Sequence, residues 1–145
     1  MLRRNLWIVV MMAGVLALGC GKKEGGSGGG GGQTLAGFQA SADYVALMTT
    51  VADGSKLVAD GKCDEALAKA KEALALVLKL VPGYGAIGEA AKSDKTLSDR
   101  MSELNAARAT LEMGIEGYEE DPASDIAKIH CKGFADSFAS ITGAP

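Results

Sequence analysis

The side chains most able to do chemistry in this sequence are three cysteines, Cys20, Cys63 and Cys131, and a single histidine, His130. The cysteines are too widely spaced for a CxxC redox motif, and none belongs to the CxxCH motif that attaches haem covalently. The single histidine is not accompanied by a serine on a strand-to-helix turn that could act as a nucleophile, so the sequence shows no nucleophile–base pair. One histidine also does not make a ligand set for a catalytic metal. The inventory therefore favours a protein that is not an enzyme and holds no metal or cofactor.

Cys20 closes an N-terminal segment that has the three parts of an export signal. Residues 1–5 carry two arginines. The apolar run that follows, Leu6–Leu18, has 13 residues, which is too short for a membrane-spanning helix of roughly 20. The run ends in Leu16-Ala17-Leu18-Gly19-Cys20, which resembles the lipobox of bacterial lipoproteins.

This resemblance implies that residues 1–19 are a cleaved signal peptide and that Cys20 carries a thioether-linked diacylglycerol, commonly with a further acyl chain on its freed amine. Several chains anchor stably because each buried CH₂ contributes about 0.8 kcal/mol. Gly21 stands where an aspartate retains enteric lipoproteins in the inner membrane, so the expected location is the outer membrane, facing the periplasm. An ordinary signal peptide with a chance cysteine, or an uncleaved N-terminal anchor, is the alternative.

The next segment, residues 20–34, is rich in glycine and separates Cys20 from the rest of the chain. Its composition predicts a flexible tether with a root-mean-square reach of about 20 Å. Residues 35–145 then form one small domain. Without Arg3 and Arg4 the 15 basic residues become 13 against 18 acidic ones, a net charge near −5. This charge argues against binding nucleic acid or an anionic surface electrostatically, and leaves the lipid bilayer and an envelope protein as expected partners.

In an exported protein the two remaining cysteines, Cys63 and Cys131, are expected to form a disulfide. The bond would close a loop of 69 residues, and the loss of loop entropy in the unfolded chain gives a stabilisation of roughly 4 kcal/mol. Two free thiols or a metal pair are the alternatives, but no further cysteine or histidine accompanies them.

The hydrophobic pattern after residue 34 is helical, with almost no alternation of period two. It predicts four amphipathic helices at about 35–59, 62–81, 95–120 and 123–141, with a glycine-rich loop at 82–93. Four such helices suggest an all-α fold, a small antiparallel four-helix bundle that runs up-down-up-down. In that arrangement Cys63 and Cys131 lie near the same end of the bundle.

The third helix has the clearest apolar stripe, formed by Leu97, Met101, Leu104, Arg108, Leu111, Ile115 and Tyr118. Because Arg108 is charged, we expect Ala107 to take the inner place while the stem of Arg108 lies along the seam. The expected stripe of the first helix includes Val45 and Met48. That of the fourth comprises Ile126, Ile129, His130, Phe134, Phe138 and Ile141.

Two further motifs receive a structural interpretation. Gly83–Gly88 spells GxGxxG, the phosphate loop of nucleotide-binding units, but a helical pattern precedes it and no second strand follows. We therefore expect a turn between helices. The acidic residues between helices three and four lack the alternating spacing of a calcium loop, which favours a solvated turn.

The helical domain also shows two family resemblances. The hairpin Leu47–Leu76 resembles one tetratricopeptide repeat, with small residues at the expected places, and this implies a groove for a protein or peptide. An ordinary helical hairpin explains the spacing equally well, and no second copy follows about 34 residues on. Met48 and His130 resemble the axial ligands of small periplasmic haem-b bundles. That resemblance implies, as the alternative function, a binding protein for haem or a small apolar ligand.

Overall fold

The computed structural model describes residues 33–143, all of which are helix or short connections, with no strand among them. Its six helices are α1 (Leu35–Gln39), α2 (Ala42–Ala59), α3 (Cys63–Leu80), α4 (Tyr84–Ser93), α5 (Lys95–Glu120) and α6 (Asp125–Thr142). The all-α prediction is confirmed, and the predicted number of four helices is wrong. The signal peptide 1–19, Cys20 and the tether up to residue 32 lie outside the described residues.

The expected first helix is divided at Ala40 and Ser41 into α1 and α2. The Ser41 hydroxyl accepts a hydrogen bond from the Tyr44 amide at 3.3 Å and donates one to the Phe38 carbonyl at 2.7 Å. Serine competes in this way for backbone partners, which makes it a poor residue for a helix interior and a good N-cap. The hydroxyl therefore ends one helix and begins the next.

The expected loop at 82–93 contains a helix, α4, which begins at Tyr84 and packs on α5. Ile87 and Ala90 face α5, and the Ser98 hydroxyl donates to the Ile87 carbonyl at 3.2 Å. Burial of these apolar side chains outweighs the low helix propensity of the glycines. The GxGxxG segment is thus the start of a helix, and the prediction of a loop here is wrong.

Contacts at the two ends of the domain fix the directions of the four longer helices. At the end where the described chain begins, Arg100 of α5 donates hydrogen bonds to the hydroxyl of Tyr44 in α2 and to the carbonyl of Ile141 in α6. We call this the entry end. At the other end, which we call the disulfide end, Asp64 of α3 accepts a hydrogen bond from Tyr118 of α5. Helices α2 and α5 therefore run away from the entry end, and α3 and α6 run toward it.

The interior lies between α2, α3, α5 and α6, which pack on one another in the order α2–α3–α5–α6 and back to α2. Its largest fully enclosed side chains are Phe134, Phe138, Leu47, Leu104, Leu111 and Ile141. The stripe predicted for α5 is confirmed, with Ala107 buried and Arg108 half-buried against Glu112 at 2.9 Å.

The stripes predicted for α2 and α6 are partly wrong. Val45 is 55% exposed, and Ile126 and Ile129 are 60% and 69% exposed. The faces that turn inward carry small or hydroxyl residues beside the large ones: Thr50 and Gly54 in α2, and Ala127 and Ser137 in α6. Such residues contribute little to a hydrophobic pattern, so the pattern in the sequence does not identify the buried faces of α2 and α6 correctly.

Gly54 and Gly88 provide a matched pair for testing the packing. A Cβ on Gly54 would lie 2.6 Å from the ring of Phe138, whereas a Cβ on Gly88 would meet nothing within 4 Å. Alanine is favoured over glycine in an exposed helix interior by about 1 kcal/mol. We expect Gly88→Ala to raise the free energy of unfolding by about that amount and Gly54→Ala to lower it, as measured by urea denaturation. A gain in both variants would contradict the close approach of Phe138 to α2.

Candidate functional site

The disulfide end is held by one covalent bond and one partly buried hydrogen bond. Cys63, the first residue of α3, is bonded to Cys131 of α6, and their Cα atoms are 5.5 Å apart. The Tyr118 hydroxyl donates to the Asp64 carboxylate at 2.8 Å, and this bond raises the pKa of Tyr118 above its usual value. Three helices are thus joined at this end, and the predicted pairing of the two cysteines agrees with the structure.

Carboxylates are concentrated at the disulfide end, at the α2–α3 and α5–α6 connections. They are Asp60, Asp64, Glu65, Glu116, Glu119, Glu120, Asp121 and Asp125. Lysines compensate part of this charge, since Lys71 pairs with Glu119 across two helices and Lys128 pairs with Asp125. Among residues 33–143, no group of three or more potential ligands has the geometry to hold a metal ion. The arrangement is an acidic, solvated surface.

An open groove runs along the junction of α3 and α5, next to these carboxylates. Leu74 and Ile115 form its apolar floor, and its walls are glutamates of α5: Glu112, Glu116, Glu119 and Glu120. Two of the glutamates are already engaged, Glu112 with Arg108 and Glu119 with Lys71. The groove could take an apolar side chain flanked by positive charge, because its floor is apolar and its rim is acidic.

At the entry end, Asp94 ties the start of the described chain to α5. Its carboxylate accepts a hydrogen bond from the Leu35 amide at 3.0 Å and caps α5 through the amides of Thr96 and Leu97. The Thr96 hydroxyl, together with these amides, lowers the pKa of Asp94 to about 2. Asp94 is therefore the N-cap of α5 and also fixes where the chain enters the domain.

Arg100 is a buried cation at the same end, with only 9% of its surface exposed. Its guanidinium donates to the Tyr44 hydroxyl at 3.0 Å, to the Ile141 carbonyl, and to Glu103 at 2.8 Å. It therefore joins α5 to the start of α2 and the end of α6. Sequence reasoning did not single out this residue. Its burial could have been inferred from its position beside Met101 and three residues after Leu97, on the edge of an apolar stripe.

Met48 and His130, the two candidate haem ligands, are both half-buried but lie far apart. The ring of His130 fills the space where a side chain on Gly117 would lie. Gly54 of α2 faces Phe138 of α6, and Met48 precedes Gly54 by 6 residues while His130 precedes Phe138 by 8. Because α2 and α6 run in opposite directions, these offsets add to roughly 20 Å along the axis. A single haem iron could not take both residues as ligands.

The hairpin that resembles a tetratricopeptide repeat corresponds to α2 and α3, which pack closely on each other. Its small residues have packing roles in this domain, since Ala66 and Ala73 are fully buried and Gly54 admits the ring of Phe138. Gly61 has a positive φ of 73° in the turn, a conformation that favours glycine. The spacing therefore has a local explanation within this one domain.

No protein-family model, curated protein or solved structure matches this chain. Among the described helices, none is by itself long and apolar enough to span a membrane. The pair α3 and α4, bent by 53° at their junction, meets the criteria of length and composition when taken together.

Proposed function

We propose that this chain is a lipid-anchored lipoprotein of the bacterial envelope whose helical domain acts as a non-catalytic interaction or structural module. The lipobox sequence that ends at Cys20 supports the anchor, and the absence of an aspartate at Gly21 favours the outer membrane, facing the periplasm. In this proposal α2, α3, α5 and α6 are an up-down-up-down four-helix bundle, to which α1 and α4 are additions.

The observation that supports the interaction role is that the chain enters the domain at one end and acidic residues are concentrated at the other. The chain enters beside Asp94, and the carboxylates gather about one domain length away, at the disulfide end. Helix α5, with 26 residues, measures about 39 Å between these ends. A domain tethered through Cys20 would therefore present its acidic end and the groove between α3 and α5 away from the lipid, toward partners in the envelope.

The anchor is tested by Cys20→Ser, with Ser27→Ala as a matched control that leaves the lipobox intact. We expect the wild type and Ser27→Ala to carry the mass of a diacylglycerol and to sediment with membranes. Cys20→Ser should lack the added mass, because serine offers no thiol for the thioether, and it should lose most of its membrane association. Intact mass measurement and membrane fractionation report both properties. A wild type that is soluble and unacylated would refute the lipoprotein proposal.

A further inference from the structure

Helix α4 has an exposed face on which a strip without charge lies beside one ion pair, Lys92 with Glu89. Tyr84 is 79% exposed, and Gly88 and Ala91 follow it at the helical spacings of four and seven residues, both exposed. The buried side of the helix, with Ile87 and Ala90, packs on α5. Within the described domain nothing covers the ring of Tyr84, although burying an aromatic ring of this size is favourable.

The glycines of α4 have no packing role inside the domain. A Cβ on Gly85 or on Gly88 would meet no atom within 4 Å. A glycine in a helix interior costs about 1 kcal/mol relative to alanine. The two glycines therefore lower the stability of α4, and no contact among residues 33–143 explains why they are there in place of larger residues.

The position of α4 indicates what lies against this face. Helix α4 ends at Ser93, next to Asp94, which binds the Leu35 amide where the chain enters. Only residues 21–34 separate Leu35 from Cys20. Their expected reach of about 20 Å is half the length of α5, about 39 Å. With a lipid on Cys20, the entry end would therefore stay near the membrane and the disulfide end would lie away from it.

We propose that the exposed face of α4 rests on the bilayer to which Cys20 is anchored, with the ring of Tyr84 in the headgroup region. This inference rests on the proposed lipid anchor. Tyrosine suits the interface because its ring is apolar and its hydroxyl is hydrated. The contact requires little intrinsic affinity, since the tether holds α4 at a high effective concentration at the surface.

Charge supports this orientation. Of the lysines nearest to α4, Lys92 pairs with Glu89 and Lys95 pairs with Asp99, while Lys79 at the end of α3 has no ion pair among the described residues. The surface beside Tyr84 therefore carries little net charge, and the unpaired charge there is positive, whereas the disulfide end is acidic. An anionic leaflet repels the acidic end and tolerates the neutral one.

Tryptophan fluorescence tests the contact cleanly, because Trp7, the one tryptophan in the sequence, lies in the segment that signal cleavage removes. We would place a single tryptophan by Tyr84→Trp, and compare it with Ile129→Trp, at a residue 69% exposed near the disulfide end. Both full-length acylated proteins would be reconstituted into phosphatidylcholine–phosphatidylglycerol vesicles with and without brominated lipid. We expect a blue-shifted emission and several-fold stronger quenching by brominated lipid for Tyr84→Trp than for Ile129→Trp.

Flotation of the same samples separates the two proposals. Protein that is acylated and floats with the vesicles, but in which both tryptophans are quenched equally or neither is quenched, overturns the α4 contact and leaves the anchor standing. A tryptophan at position 84 that is already shielded from iodide without vesicles indicates a protein occupant, such as a second copy, and also overturns the contact. Protein that is neither acylated nor floating overturns both proposals. Circular dichroism of each variant verifies that the helices are intact.

Discussion

Removal of the disulfide by Cys63→Ala with Cys131→Ala is expected to lower the free energy of unfolding by about 4 kcal/mol. The bond joins two residues that are 68 positions apart in the sequence, so without it the unfolded chain regains the entropy of a long open segment. A loss of this size corresponds to a fall in the melting temperature of about 15 to 25 °C for a domain near 110 residues. Urea denaturation and thermal melts followed by circular dichroism would measure it.

Reduction provides the internal control for this experiment. A reductant should lower the unfolding midpoint of the wild type to near that of the double variant, and should leave the double variant unchanged. The chain for both measurements would carry Cys20→Ser, so that Cys63 and Cys131 are the two thiols able to respond. Equal stability of the oxidised wild type and the double variant would show that the pair is not bonded in solution.

Arg100→Met is expected to destabilise the domain by about 2 to 4 kcal/mol. Methionine can fill much of the volume of the arginine side chain. However, it leaves the Tyr44 hydroxyl and the Ile141 carbonyl, both at buried hydrogen bonds, without their charged donor. Hydrogen bonds to a charged group contribute about 1.5 to 3 kcal/mol each, and a buried polar group without a partner adds a desolvation cost. The measurement is again the midpoint of urea denaturation.

Arg108→Met is the matched control, because Arg108 lies on the same helix and pairs with Glu112 on a half-exposed surface. Exposed ion pairs spaced four residues apart on a helix contribute roughly 0.3 to 0.5 kcal/mol, so this variant should change stability little. Tyr44→Phe should fall between the two, since it removes one acceptor and leaves the guanidinium its other partners. Equal effects of Arg100→Met and Arg108→Met would contradict the buried network at the entry end.

The sequence predicted the features of this domain that depend on strong local signals. Helix α5 has large apolar residues at most of its inward positions, so its buried face was foreseen. The cysteine pair followed from counting the cysteines of a chain that is expected to be exported. The lipid on Cys20 stays a prediction, because that residue lies outside the described part of the chain.

Other features depend on contacts between residues distant in sequence. Helix α4 contains Gly85 and Gly88, which lower its helix propensity and conceal its pattern in the sequence, and its packing on α5 stabilises it. Arg100 finds Tyr44, 56 residues earlier, and Ile141, 41 residues later, which no local pattern reveals. The 20 Å separation of Met48 and His130 became visible only once the contact of Gly54 with Phe138 set the register of α2 against α6.

The bond between Cys63 and Cys131 also determines how the molecule would carry mechanical load. A pull between the N-terminal side, where the proposed anchor lies, and the C terminus passes along α1 and α2 to Cys63, crosses the disulfide, and continues from Cys131 through α6. Residues 64–130 are bypassed, and at about 3.4 Å per residue this withholds about 230 Å of contour length from extension. Tension can therefore lengthen only residues 33–63 and 131–143 of the described chain, while α3, α4 and α5 remain inside a closed covalent ring.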